Sequence, residues 1–120
     1  PAHCSSMGKC LLACLSAEEL EEALCDFGFE AHTANTITRR RDFVTHLRQV
    51  RRRGWAMDHE ESELNHRCVA APIFDFSGKA IASIGVSGSN DDLPDGRIDE
   101  VAQYVVRAAQ RTSKCMGYVE

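Results

Sequence analysis

Residues 67–88 read RCVAAPIFDFSGKAIASIGVSG. Two runs rich in β-branched and small apolar residues flank Ser77-Gly78, the pattern of a hairpin closed by a two-residue turn. That turn sets Cys68 opposite Ser87, Ala70 opposite Gly85 and Pro72 opposite Ser83, all on one face of the sheet. The other face carries Val69, Ala71 and Ile73 against Ala82, Ile84 and Val86, and reads as core. A three-residue loop with a bulge would shift this pairing by one residue. The first face is small and lightly polar where a core would have bulk. It is either the floor of a pocket, whose hydroxyls orient a polar ligand, or a surface kept flat so that a helix can pack closely.

Outward from the hairpin, Trp55 to Asp58 reads as a short strand and HEESELNH as a polar loop. SNDDLPDG is a second loop. It leads into a helix from Arg97 to Met116 with Ile98, Val101, Ala102, Val105, Ala109 and Thr112 facing inward. Upstream, Ser5 to Leu15 reads as a short helix with Leu11, Leu12 and Leu15 apolar. Ser16 and Glu19 match a capping box. They open a helix with a Leu20, Ala23, Leu24 and Phe27 stripe that stops at Gly28. Thr38 is placed to cap a third helix, Arg39 to Arg53, which turns Phe43, Leu47 and Val50 inward and ends at Gly54. Antiparallel strands with helices over one face make an α+β domain. Three strands are few for this many helices, so the sheet is expected to be completed by strands encoded before Pro1.

A chain of 120 residues, 43% hydrophobic, supports one domain with a core. A net charge of -4 argues against a general nucleic-acid grip. No apolar run is long enough for a membrane helix, and PAHCSSMGK does not follow signal-peptide order. The sequence begins at Pro1 without an initiator Met and reads as a piece of a longer protein. The six cysteines sit where small apolar residues would serve, which points to reduced thiols and a cytoplasmic setting.

Chemistry-bearing residues fall into groups. CSSMGK, Cys4 to Lys9, lies at a helix N-terminus whose free N–H groups favour an anion, although most Ser-capped helices bind only their own backbone. His3, Cys4, His59, His66 and Cys68, with Asp58, lack any metal-binding motif. They read as surface histidines plus a buried thiol, with no metal. A Cys68 nucleophile assisted by His66 or His59 would need a positioned base and an oxyanion hole that nothing here demands. Arg39, Arg40, Arg41, Arg48, Arg51, Arg52 and Arg53 read as a solvated helix face with local ion pairs.

PAHCSSMGKCLLACLS opens the chain, and TITRRRDFVTHLRQVRRRGWAMDHEESELNHRCVAAPIFDFSGKAIASIGVSG follows, with Gly54, Asp58, Glu60, Glu61, Arg67, Cys68, Ala70, Ala71 and Ser87-Gly88 in place. With the long helix to Gly117-Tyr118, this resembles the effector-binding domain of isocitrate-lyase-regulator-type (IclR-family) bacterial transcription factors across the whole chain. The resemblance implies a GAF-like fold, an antiparallel sheet flanked by helices, of which residues 1–120 are a partial effector-binding domain lacking the first strands. It implies a parent protein with an N-terminal winged helix-turn-helix for operator DNA, a homodimer or tetramer, and a small organic, sugar or aromatic acid as effector. It implies no enzyme activity and no cofactor. The family's effector contacts fall on Ser6, Met7, Asp58, Cys68, Gly85 and Ser87. Three of these already share the small-residue face. Gly85 stands where a hydroxyl residue can occur, Met7 is bulkier than usual, and His66 replaces an apolar residue. The alternatives are an oligomerisation module with a vestigial pocket and, behind it, a Cys-dependent enzyme or metal sensor.

Overall fold

A computed structural model describes residues 2–119. Its sheet consists of β1 (Ala56–His59), β2 (Arg67–Phe74) and β3 (Ala80–Gly88), antiparallel and in that order. The hairpin pairs Cys68 with Ser87, Ala70 with Gly85 and Pro72 with Ser83, as the sequence predicts. Its turn is longer than predicted. The Asp75 amide donates to the Lys79 carbonyl and the Gly78 amide to the Asp75 carbonyl, each at 3.0 Å. Gly78 has a φ of 80°, which a side chain would resist. The longer loop shifts the pairing to Phe74 with Ala80. An irregularity next to Ile73, which leaves Ile81 unpaired, then restores the predicted register inward.

The helices are α1 (Ser6–Ala13), α2 (Ala17–Leu24), α3 (Arg40–Arg53) and α4 (Ile98–Cys115), the last preceded by a 3-10 turn at Asp95–Arg97. They cover both faces of the sheet, not one. Strand alternation divides β2 between two cores. Val69, Ala71 and Ile73 pack with Ile98, Ala102, Val105 and Ala109 of α4. On the opposite face, Ala70 packs with Cys10 of α1 and with Phe43, Leu47 and Val50 of α3. Burying each of those three α3 side chains contributes roughly 1.5–3 kcal/mol. Val86, expected in the core, is 43% exposed, whereas Ala82 and Ile84 of the same strand pack against the core that α4 helps to form.

The capping box of Ser16 and Glu19 forms in both directions. α2 nevertheless ends at Leu24 rather than running to Gly28. Thr38 is not the cap of α3: Arg39 occupies that position and makes no side-chain cap bond. The inner stripe of α1 is Ser6, Lys9, Cys10 and Ala13, and Leu11 is exposed.

Candidate functional site

Ser5 caps α1 by accepting the Gly8 amide at 3.0 Å. Helix geometry leaves the Ser6 and Met7 amides without intrahelical acceptors, at the positive end of the helix dipole. α1 lies across the small-residue face of the sheet. There the Ser6 hydroxyl donates to Cys68 Sγ at 2.7 Å, and Cys10 Sγ donates to the Ala70 carbonyl at 3.2 Å. The helix N-terminus and the sheet face, far apart in sequence, therefore meet. The small-residue face divides into a half covered by α1 and a half that is not. Its inner half is packed: a Cβ added at Gly85 would stand 2.7 Å from the Val69 carbonyl oxygen and 3.1 Å from Ala70 Cβ. Its outer half is open.

The six predicted residues separate accordingly. Ser6 is buried against Cys68, which is half-buried, and Met7 is exposed above them. Gly85 is half-buried and Ser87, opposite Cys68, is exposed. Asp58 pairs with Cys68 across β1 and β2, but the residue is buried, 2% exposed. Its Oδ1 accepts the Glu61 amide at 2.8 Å and its Oδ2 the Ser62 hydroxyl at 2.6 Å. Those bonds brace the turn after β1. The arrangement is a shelf at the sheet edge. A cleft of about 370 Å³ elsewhere runs past Cys14, Pro72, Phe74, Gln110 and Tyr118, and none of the six residues lines it.

Burial pushes the Cys68 thiol up, and the Ser6 hydrogen bond only partly offsets this. A raised pKa leaves little thiolate at neutral pH, which disfavours a nucleophilic role. The loose His/Cys set does not converge on Cys68. His59 Nε2 lies 3.2 Å from Asp95, and His3, read as a surface residue, is buried. The arginines of α3 form no ion pairs among the described residues. Arg40 donates to the Leu24 carbonyl, while Arg53 donates to the Trp55 carbonyl and stacks over its ring.

Sequence reasoning missed two polar networks behind the shelf. Lys9, fully buried, places Nζ 2.6 Å from Glu61 Oε1 and 2.8 Å from the Met57 carbonyl. Desolvation lowers its pKa, opposed by Glu61. Arg67, also buried, donates to the Leu93 carbonyl and to Asp95, each at 2.8 Å, closing the sheet end over the loop that follows β3. A signal for Lys9 was available: its spacing from Ser6 and Ala13 puts it on the inner stripe.

Comparison with known proteins gives a consistent answer. The family described as bacterial transcriptional regulator IclR C-terminal matches residues 1–114. A regulator from Paracoccus denitrificans, HTH-type transcriptional regulator BhcR, is 40% identical over 111 residues. The match covers 92% of this chain and 40% of that protein. The chain thus spans about two fifths of this curated relative's length. Among solved structures, the C-terminal domain of the Escherichia coli transcriptional regulator KdgR superposes with a TM-score of 0.91 at 33% identity, covering 98% of this chain and 72% of that one. The inducer-binding domain of an Acinetobacter PobR double mutant, in complex with 3-hydroxybenzoic acid, gives 0.86 at 30% identity, covering 94% and 65%. No described helix is long and apolar enough to cross a membrane.

Proposed function

The chain belongs to the IclR C-terminal family of transcriptional regulators, which is not a family of enzymes, and from that premise we propose that it senses a small organic acid. The observation that carries this reading is the 2.7 Å contact between Ser6 and Cys68, which joins the open end of α1 to the small-residue face. In this reading the Ser6 and Met7 amides hold the acid's carboxylate, and Cys68 and Ser87 contact the polar atoms beside it. Asp58 and Gly85 shape the site from behind. The organic-acid class draws support from the related inducer-binding domain seen with 3-hydroxybenzoic acid. Operator DNA is assigned to an N-terminal winged helix-turn-helix of a longer parent protein working as a cytoplasmic dimer or tetramer. The effector then acts by binding one arrangement of that parent better than another.

A second reading, an oligomerisation module with a vestigial pocket, draws on the outer edge of β3, which pairs with no described strand, and on the exposed Val86 beside it. Thermal melts with carboxylic, keto and aromatic acids decide between the two. A true effector stabilises the fold by about 2.7 kcal/mol at a hundredfold excess over Kd, and Ser87→Ala reduces that shift. No shift with any of the three classes leaves the association reading, and the same shift in Ser87→Ala keeps ligand binding but removes Ser87 from the site.

A further inference from the structure

A second cluster of chemistry lies just upstream of α1. One ligand-capable atom from each of His3, Cys4 and His32 falls within 4.8 Å of the other two. His3 is 1% exposed and Cys4 fully buried, whereas His32 faces solvent. The His3 ring is wedged edge-on among the aromatic rings of Phe27 and Phe29, with centroids at 5.3 and 5.7 Å. Its Nε2 lies 2.7 Å from the Glu30 carbonyl oxygen. A carbonyl only accepts, so Nε2 carries the proton and Nδ1 carries the lone pair. Nδ1 is buried and has no hydrogen-bond partner among the described residues. A buried acceptor without a partner is uncommon and calls for an explanation. Here the tautomer is fixed by a carbonyl behind the ring, as it is for imidazoles that ligate metals.

We propose that His3 Nδ1, Cys4 Sγ and His32 form a binding site for a borderline-soft divalent cation, zinc in the first instance, with water in the fourth position. Two imidazoles and a thiolate form a donor set of the kind zinc takes. Zinc bonds of roughly 2.0–2.3 Å set neighbouring donors about 3.3–3.7 Å apart in a tetrahedron. Closing from the present separation takes a shift of about 1 Å, within reach of the exposed His32 ring. The backbone beneath that ring is already fixed. The amides of His32 and Thr33 both donate to Thr36 Oγ1 at 3.0 Å, and the Thr36 hydroxyl donates to the Glu61 carbonyl. Binding displaces the Cys4 proton to solvent and forms the metal–sulfur bond, with no change of oxidation state. The bound cation ties the segment entering α1 to the loop between α2 and α3. Cys4 is two residues from Ser6, so occupancy orders the start of α1.

The test is titration of the reduced, chelator-treated chain with Co(II) and Zn(II). The expected result is one Co(II) per chain, a tetrahedral visible spectrum and a thiolate charge-transfer band, all displaced by Zn(II). His32→Gln, which alters only an exposed side chain, weakens binding at least tenfold. Cys4→Ser removes the charge-transfer band, and Cys115→Ser, on the exposed end of α4, leaves it intact. If Cys4→Ser does not fold by circular dichroism, His32→Gln decides alone. No stoichiometric binding, or binding unchanged in His32→Gln or in a folded Cys4→Ser, overturns the site.

Discussion

Replacing Lys9 by methionine tests how much the buried Lys9–Glu61 pair holds α1 to the turn after β1. Methionine preserves the length of the buried stem, so the change removes the ammonium and little packing. Two bonds are lost, to Glu61 at 2.6 Å and to the Met57 carbonyl at 2.8 Å. The larger effect is on what remains. The Glu61 side chain is only 7% exposed and, among the described residues, keeps one donor, the His59 amide at 3.0 Å. Breaking a buried pair from one side typically costs about 3–5 kcal/mol, because a desolvated charge is stranded. A domain of this size has about 5–15 kcal/mol in total. At roughly 4 °C per kcal/mol, Tm falls by about 12–20 °C. Lys9→Met with Glu61→Leu removes both charges and recovers most of the loss, leaving about 1–2 kcal/mol for the unmade bonds to the His59 amide and the Met57 carbonyl. Urea unfolding followed by the single, buried Trp55 reads all four corners of the double-mutant cycle. A single variant within 1 kcal/mol of the parent, or a double variant as unstable as the single, refutes the argument.

Two further outcomes follow from other sites. Burial, followed by the charges of Lys9 and Arg53, pushes His46 down to about 4 from 6.5. Its folded-state pKa lies below the unfolded one, so the unfolded chain takes up the proton first and stability is lost as pH falls from about 6.5 to 4. The ceiling is about 3 kcal/mol, reduced to about 1–2 by the partial exposure of the ring. Urea midpoints at both ends of that range should converge in His46→Gln, and an equal acid loss in parent and variant rules this source out. Gly85→Ala puts a Cβ against the Val69 carbonyl oxygen. It should cost about 1–3 kcal/mol by thermal melt, and a neutral result would mean that the two strands separate freely there.

What the sequence made legible is what depends on short-range periodicity. The hairpin register, the inward face of α3, the Ser16–Glu19 box and most of the inner side of α4 each follow from a few neighbouring residues. Turn length is not legible because Ser77-Gly78 fits two turns equally well, and only the compensating irregularity beside Ile81 preserves the predicted pairing. Coverage of both faces was missed because Ala70 and Cys10 are too small to announce a core by themselves. The Lys9–Glu61 pair spans 52 residues, and no local pattern couples a helix lysine to a loop glutamate. Val86 fits the alternation of its strand but lies on the edge strand of the sheet, 43% exposed, which periodicity does not reveal.

The candidate site divides in the same way. Ser6 and Cys68 meet as the two segments of sequence imply, and Met7 and Ser87 stand open beside them. Asp58 and Gly85 serve structure first. The Asp58 carboxylate is already satisfied by Glu61 and Ser62, and Glu61 in turn holds Lys9 beneath α1. Asp58 therefore reaches the shelf through three linked contacts: carboxylate to Glu61 amide, Glu61 carboxylate to Lys9, and Lys9 to the helix that carries Ser6. An acid seated on the α1 amides would draw on that helix from the front while Lys9 anchors it from behind. Since a ligand shifts an equilibrium only through states it binds unequally, the element able to differ between such states is α1 together with the turn at 58–62. Val69, Ala71 and Ile73, fixed in the core against α4, are the frame against which it would move.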